Sequence, residues 1–165
     1  MPSRVWIATV VTICIASPSF AQSVILVRHA ERADTAAGGP PTMAADPDLS
    51  EAGRERARRL ADMLKDSGIT AIYVTEFART RQTAAPLAVA LGVTPTVIRA
   101  ADTAVLVQRL RAATGHVLVV GHSNTVPDVA AALTSSAPIT MEDDEYDNLL
   151  VVPLGRSPRL LRLRY

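Results

Sequence analysis

The chain has 165 residues and carries 17 Lys and Arg against 16 Asp and Glu, a formal net charge of +1. This balance gives no support for nucleic-acid binding, which calls for a basic surplus to meet the phosphate backbone. A single cysteine excludes an intrachain disulfide, and the length corresponds to one ordinary domain able to bury a core.

The first 21 residues have the three-part pattern of an export signal. Arg4 supplies a positive charge, residues 5–15 are apolar, and Ser19 and Ala21 are the small residues that a signal peptidase reads. The apolar stretch is too short to span a membrane; an uncleaved anchor or a buried first helix is the alternative. We therefore expect a signal peptide at residues 1–21, a folded domain at residues 22–165, and a periplasmic or secreted location. Cleavage also removes Cys14, which excludes thiolate catalysis.

The pentapeptide of residues 28–32 places His29 between Arg28 and Arg32, directly after the apolar run of residues 24–27. That run predicts a buried strand covered on both faces. The carboxyl end of such a strand faces the ligand crevice in open α/β sheets. Because neighbouring cations disfavour imidazolium, we expect His29 to be neutral and nucleophilic, with the arginines holding a phosphate. The alternative is a capping histidine between two solvated arginines.

The segment that follows is a predicted loop and then a predicted helix. Residues 33–48 have no hydrophobic period and several Gly and Pro residues, which indicates a long loop and a candidate lid. Ser50 is the predicted N-cap of a helix that stops at Gly68. Its core-facing residues have helical spacing and are Ala57, Leu60, Ala61 and Leu64.

Residues 69–74 predict the second strand, and residues 75–83 lead from it into a helix that ends at Gly92. Pro86 predicts either a kink in this helix or a helix that begins near Ala84. The later predicted elements are a strand at 95–98, a helix at 103–114, a strand at 116–120, a further helix, a solvated acidic loop at 142–147, and strands at 149–154 and 160–164. The core residues of that further helix are Val126, Val129, Ala130 and Leu133.

The alternation of strands and helices predicts an α/β protein with three layers, an α/β/α sandwich around a mostly parallel central sheet. Parallel strands bring their carboxyl ends to one edge, and three of those ends carry polar groups. His29, Arg79 and His122 should therefore meet there, with His122 at a helix amino end that favours an anion. A phosphate held by cations in this way suits phosphoryl transfer.

These motifs, in this order, resemble the histidine phosphatase superfamily, which includes the phosphoglycerate mutases. Residues 28–30 are similar to its Arg-His-Gly signature, with alanine in place of glycine. Residues 49–53 resemble the start of the family's helix, and residues 75–83 resemble the segment that supplies its second arginine, here Arg79. Residues 121–123 look like its second-histidine motif.

The resemblance implies a phosphoglycerate mutase-like fold and a phosphatase whose His29 becomes phosphorylated on a ring nitrogen. It implies that Arg28, Arg79 and His122 bind the transferred group and that water then releases it. It implies no metal and no organic cofactor. The remaining predicted substrate-binding residues are Ser123, Asn124 and Arg32.

The general acid is less well indicated than the nucleophile. The resemblance implies a carboxylic acid between the second arginine and the second histidine, and the only candidate there is Asp102, whose simpler role is a helix N-cap. Glu31 is the competitor, with an ion pair to a neighbouring arginine as its alternative role. Glu76 and residues 142–147 are further candidates. If none of them serves, we expect substrates with good leaving groups, or phosphohistidine itself.

The leading hypothesis is thus a periplasmic or secreted phosphohydrolase acting on a phosphorylated small molecule or protein, with no nucleic acid and, after signal cleavage, no membrane as partner. The alternative is a non-catalytic phosphate- or anion-binding module on the same fold.

A mutase is disfavoured by the export signal and by the absence of a large insertion. A zinc site of His29, His116 and His122 is disfavoured because the spacing matches no usual ligand pattern. The oligomeric state stays open.

Overall fold

A central sheet of six strands with helices on both faces forms the core of the protein. The computed structural model describes residues 22–36 and 46–165, so the predicted signal peptide and residues 37–45 of the predicted loop lie outside the described residues. The elements in chain order are β1 (Gln22–Arg28), α1 (Ala33–Ala36), α2 (Glu51–Leu64), β2 (Ile69–Val74), α3 (Ala78–Leu91), β3 (Thr96–Val97), α4 (Thr103–Ala112), β4 (His116–Gly121), α5 (Thr125–Thr134), β5 (Asn148–Leu154) and β6 (Leu161–Arg164).

The strand order is β3-β2-β4-β1-β5-β6, which places β4 and β1 at the centre of the sheet. The first four strands in this order pair in parallel, and β5 and β6 are antiparallel additions. The predicted three-layer α/β/α sandwich with a mostly parallel sheet is therefore confirmed. β6 lies at the edge with its side chains exposed, as its charged alternation predicts.

Side chains of β1 alternate between two hydrophobic cores. Ile25 and Val27 pack on the face covered by α2 and α3, and Val24 and Leu26 pack on the face covered by α4 and α5. This two-sided burial explains why the strand has no polar alternation in the sequence. The central strands are thereby held rigidly, and the residues at their carboxyl ends are positioned with them.

Several element boundaries differ from the sequence prediction. Helix α2 ends at Leu64, before the predicted stop at Gly68. The predicted loop at residues 33–48 begins with the short helix α1. Helix α3 begins at Ala78 rather than near Ala84, and Pro86 lies inside it. The early start has a tertiary cause, because the Ala78 amide donates to both carboxylate oxygens of Asp46, at 2.8 and 2.9 Å. A carboxylate at a helix amino end satisfies an otherwise unpaired N–H and favours the helix dipole.

Ser50 caps α2 as predicted, since its hydroxyl accepts from the Gly53 amide at 3.1 Å. A Cβ at Gly53 would lie 2.2 Å from the main-chain oxygen of Glu31. Glycine therefore lets α2 pack directly against the backbone that follows His29.

Gly53→Ala is expected to destabilise the fold by about 1–3 kcal/mol, because the added methyl group must displace backbone atoms. Urea denaturation of the two proteins measures the difference. Gly155→Ala is the matched control, since a Cβ at that turn position meets no heavy atom of the described residues within 4 Å. Equal midpoints for Gly53→Ala and the unmodified protein would contradict the close contact.

None of the helices in the described ranges combines the length and the apolar character that crossing a bilayer requires.

Candidate active site

Two histidines come together at the carboxyl ends of the two central strands. His29 follows β1 and His122 follows β4, and the His29 amide donates to the Gly121 carbonyl at 2.9 Å. The ring centroids lie 5.4 Å apart with the planes at 64°. Both side chains are buried, with exposed fractions of 3% and 2%. The parallel pairing of β1 with β4 thus brings the rings of two residues 93 positions apart into contact.

The hydrogen bonding of His29 determines which nitrogen is nucleophilic. Nδ1 lies 2.8 Å from the Ala30 carbonyl oxygen, which only accepts, so Nδ1 carries the proton and Nε2 keeps its lone pair. The pKa of His29 is lowered to about 3, chiefly by burial; the charges of Arg28, His122 and Arg79 contribute to the shift and the Ala30 hydrogen bond opposes it. The neutral state of His29 was predicted from the neighbouring cations, but burial contributes more than they do to the lowered pKa.

Arg28 is buried beside His29, with an exposed fraction of 5%. Its Nη1 donates to the carbonyls of Glu142 and Asp143 at 3.0 and 2.9 Å. Its guanidinium carbon lies 4.2 Å from the centre of the Tyr146 ring. Nε is buried and has no hydrogen-bond partner among residues 22–36 and 46–165. One side of the guanidinium is thus held by the protein, and Nε is available to an oxyanion.

Arg79 lies in the first turn of α3 and is fully buried. Its guanidinium carbon lies 4.2 Å from the centre of the Phe77 ring, and Nη1 is 3.5 Å from a carboxylate oxygen of Asp46. Burial lowers the pKa of Arg79, and the charges of Arg32 and Arg28 lower it further. Three clustered cations at a buried position favour the binding of a dianion.

Arg32 also belongs to this cluster, although its side chain is directed to a carboxylate. It is buried and pairs with Asp34 through two hydrogen bonds, of 3.0 and 2.5 Å. The alternative of two solvated arginines around His29 is therefore excluded. Arg81, two residues after Arg79, is exposed and donates to the Glu76 carbonyl.

His122 is oriented by a pair of threonines that the sequence did not indicate. Its Nε2 lies 3.0 Å from the Thr75 hydroxyl, which in turn lies 3.0 Å from the Thr80 hydroxyl. Thr80 accepts from the Thr75 amide, and its own hydroxyl donates to the Phe77 carbonyl at 2.9 Å. In this network Thr75 accepts from Nε2–H. Nδ1 of His122 is buried and without a partner among the described residues, and it can donate to an oxyanion only once it is protonated, in the imidazolium form.

The pKa of His122 is lowered to about 4, chiefly by burial, and the charges of Arg79 and Arg28 contribute to the shift. Saturating tungstate is expected to raise this pKa, because a bound dianion stabilises the imidazolium. By linkage, tungstate then binds more tightly as the pH falls through the raised pKa. A histidine-ring NMR titration with and without tungstate measures the shift, with His116→Gln used for assignment. An unchanged pKa would mean that His122 does not contact the oxyanion.

Ser123 and Asn124 follow His122 in the turn that leads into α5. Ser123 is half-buried and Asn124 is exposed, and the Asn124 side chain makes no capping hydrogen bond. Thr125 stabilises the turn instead, since its hydroxyl accepts from the His122 amide at 3.0 Å. A Cβ at Gly121 would lie 2.9 Å from that hydroxyl oxygen, so glycine permits the tight turn. The predicted substrate-binding roles of Ser123 and Asn124 stay predictions.

The two carboxylates predicted as candidates for the general acid are engaged elsewhere. Glu31 binds Arg56 through three contacts of 2.6 to 3.0 Å, a partner 25 positions away. Burial raises the pKa of Glu31, but the Arg56 hydrogen bonds and charge lower it overall, so the group is ionised and has no proton to donate. Asp102 occupies the N-cap position of α4 without capping it and pairs with Arg99 at 2.8 Å. These contacts disfavour an acid role for either residue.

The other two candidates also have structural roles. The Glu76 carboxylate accepts from the Ala100 amide at 2.8 Å and is exposed. Residues 142–147 are not the purely solvated loop predicted from the sequence, because their carbonyls bind Arg28. Tyr146 from this loop lies 6.1 Å from His29 between ring centroids. No local pattern marks Tyr146, Thr75 or Thr80 as site residues, because their roles depend on contacts across the sheet.

No group of three or more His, Cys, Asp or Glu in the described parts of the chain is arranged to hold a metal ion.

The sequence profile described as "Histidine phosphatase superfamily (branch 1)" matches residues 24–103. This range includes His29, Arg79 and the second strand but ends before His122. No curated protein matches the sequence.

Several solved structures share the fold at low sequence identity. The protein histidine phosphatase SixA complexed with tungstate is 20% identical, with a TM-score of 0.66, covering 86% of this chain and 96% of that one. A mycobacterial glucosyl-3-phosphoglycerate phosphatase is 17% identical, with a TM-score of 0.67 and coverages of 88% and 98%. A phosphoserine phosphatase from Entamoeba histolytica is 14% identical, with a TM-score of 0.68 and coverages of 87% and 97%. The phosphoglycerate mutase-like architecture is thereby confirmed.

Proposed function

We propose that the chain is a phosphatase of the histidine phosphatase superfamily, whose profile matches residues 24–103, and that it hydrolyses its substrate through a phosphohistidine at Nε2 of His29. The observation that carries this proposal is the 2.8 Å contact of His29 Nδ1 with the Ala30 carbonyl oxygen, which places the proton on Nδ1 as the donor and leaves the lone pair on Nε2. The low pKa of His29 keeps the ring neutral at physiological pH. A neutral, oriented imidazole is the form that attacks phosphorus.

The reaction has two displacements. In the first, the Nε2–P bond forms as the bond from phosphorus to the leaving oxygen breaks, and that oxygen takes up a proton from solvent water. In the second, a water oxygen attacks phosphorus, the Nε2–P bond breaks, the attacking water gives one proton back to solvent, and phosphate leaves with His29 neutral again. Arg28, Arg79 and His122 surround the developing charge, and such preorganised donors provide most of the catalysis in phosphoryl transfer.

Leaving-group chemistry is expected to control the rate, because Glu31 and Asp102 are both held in ion pairs away from this role. With these two carboxylates unavailable to protonate the leaving oxygen, kcat/KM should rise steeply as the leaving group becomes more acidic. A series of aryl phosphates of graded phenol pKa measures this dependence. A kcat/KM that does not change with the phenol pKa would instead show that the site contains an efficient proton donor.

The physiological substrate is proposed to be a phosphorylated small molecule or protein outside the cytoplasm. SixA and the mycobacterial phosphatase, by their names, act on a protein phosphohistidine and on a phosphorylated sugar derivative, and both chemistries are candidates here. The export pattern of residues 1–21 supports the location. N-terminal sequencing of the protein recovered from the producing cells tests it, with Gln22 as the expected first residue.

Trapping of the intermediate tests the proposed mechanism. Brief incubation with a ³²P-labelled phosphate ester, followed by denaturation at alkaline pH, is expected to leave label on the unmodified protein and none on His29→Ala. His116→Ala is the matched control, because His116 lies at the opposite end of β4 and should keep the label. A protein that binds phosphate but never retains label would instead fit the alternative of a non-catalytic anion-binding module.

A further inference from the structure

The loop between α5 and β5 contacts the site from a side that the family motifs do not include. Residues 142–147, called here the acidic loop, bind Nη1 of Arg28 through the main-chain carbonyls of Glu142, Asp143 and Glu145, at 3.0, 2.9 and 3.5 Å. Carbonyl oxygens hold a guanidinium without neutralising it, whereas a carboxylate would compete with the substrate for its charge. Arg28 is therefore oriented by main-chain oxygens, while the carboxylates of Asp143 and Asp144 act on it only through their charge and leave its hydrogen-bonding positions unused.

Tyr146 of the acidic loop fixes the plane of the same guanidinium. Its ring lies 4.2 Å from the guanidinium carbon of Arg28 and 6.1 Å, between centroids, from His29. A guanidinium stacked on an aromatic face is stabilised by cation–π attraction and cannot rotate freely. The carbonyls and the ring together restrict a side chain that would otherwise lose conformational entropy on binding phosphate.

The acidic loop is itself fastened to the edge strand β6. Arg162 pairs with the Glu145 carboxylate at 3.1 Å, and Arg164 pairs with both Glu145 and Asp147, the latter at 2.5 Å. The Tyr165 amide donates to the Asp147 carbonyl at 3.0 Å. The hydrogen bonds from Arg164 lower the pKa of Glu145 to about 2, so this carboxylate stays ionised under ordinary conditions.

We propose that the acidic loop, with Tyr146, positions Arg28 for the phosphoryl group, and that Arg162 and Arg164 of β6 hold the loop in place. This proposal rests on the proposed function, since it assigns Arg28 to the oxyanion. Tyr146, Arg162 and Arg164 are positioning residues, because they act on substrate through Arg28. The arrangement makes the carboxyl-terminal strand a determinant of affinity at a site formed mainly by the first half of the chain.

Calorimetric binding of tungstate tests the positioning role without requiring turnover. Tyr146→Leu removes the stacking ring and is expected to weaken tungstate binding about two- to fivefold, the range of one cation–π contact. Tyr146→Phe keeps the ring and should bind like the unmodified protein. With a phosphate ester as substrate, Tyr146→Leu should raise KM by a similar factor and change kcat by less.

The pair Arg162→Gln/Arg164→Gln tests the fastening. This double substitution should weaken tungstate binding to a similar extent. In the triple variant, Tyr146→Leu should weaken binding by a smaller factor than it does alone, because both changes act through Arg28. The matched control is Arg156→Gln/Arg159→Gln, which removes the same charge from exposed positions of the β5–β6 connection and should leave the affinity unchanged. Thermal unfolding verifies that each variant is folded.

Unchanged tungstate affinity in Tyr146→Leu would overturn the positioning role, and the control pair weakening binding as much as the β6 pair would overturn the fastening. If the β6 pair does not fold, the comparison of Tyr146→Leu with Tyr146→Phe still decides the role of Tyr146, and Arg164→Gln alone decides the fastening. Unmodified protein that binds tungstate but hydrolyses no phosphate ester would contradict the proposed function only. Unmodified protein that binds no tungstate would contradict the positioning proposal as well.

Discussion

His29→Ala is expected to reduce the hydrolysis of p-nitrophenyl phosphate by a factor of about 10⁴ or more, because removal of a covalent nucleophile eliminates the chemical pathway itself. The loss should appear in kcat, while tungstate affinity should fall little, since Arg28, Arg79 and His122 remain. Steady-state rates and calorimetry on the same preparations separate the two quantities.

The control for this substitution is available within the chain. His116→Ala removes the third histidine, which is half-buried at the start of β4, and should leave the rate within about twofold of the unmodified protein, as is usual for a change outside the reacting groups. Comparable thermal stability of the two variants would show that the difference is chemical. Substantial hydrolysis by His29→Ala would refute His29 as the nucleophile and, with it, the two-step mechanism.

Arg79→Ala is expected to lower kcat/KM by a factor of about 10²–10³, the usual cost of removing one charged donor from a transition state. The guanidinium is fully buried, and burial and the charges of Arg32 and Arg28 lower its pKa against the opposing charge of Asp46. A charge-assisted contact with a phosphoryl oxygen is strong at such a buried position. Arg79→Lys should not restore the rate, because an ammonium lacks the planar fork that two phosphoryl oxygens require.

Arg81→Ala provides the comparison for Arg79→Ala. Arg81 lies two residues further along α3, is exposed, and donates to the Glu76 carbonyl at the surface. Its removal should change kcat/KM by less than about threefold, a range typical of exposed ion-pairing groups. Equal losses in the two variants would mean that the net charge of α3, rather than the buried guanidinium, governs binding.

The sequence by itself determined the architecture and most of the pocket. The apolar runs of β1 and β4 require a sheet covered on both faces, and a parallel sheet places the residues that follow its strands at one edge. His29 and His122 therefore fall on the same edge of the sheet for a topological reason that is readable from the sequence. Their direct contact depends in addition on β1 pairing with β4, which strand periodicity does not encode.

Only the tertiary structure decided which partners these side chains have. Glu31 pairs with Arg56 rather than with an adjacent arginine, Asp46 caps α3 from 32 positions away, and Tyr146 covers Arg28 from a loop that looks merely acidic in sequence. Such contacts join residues distant in the chain, and no local period or capping pattern encodes them. Helices and strands follow from repeated short-range chemistry, whereas the orientation of a single buried charge depends on whichever group the completed fold places beside it.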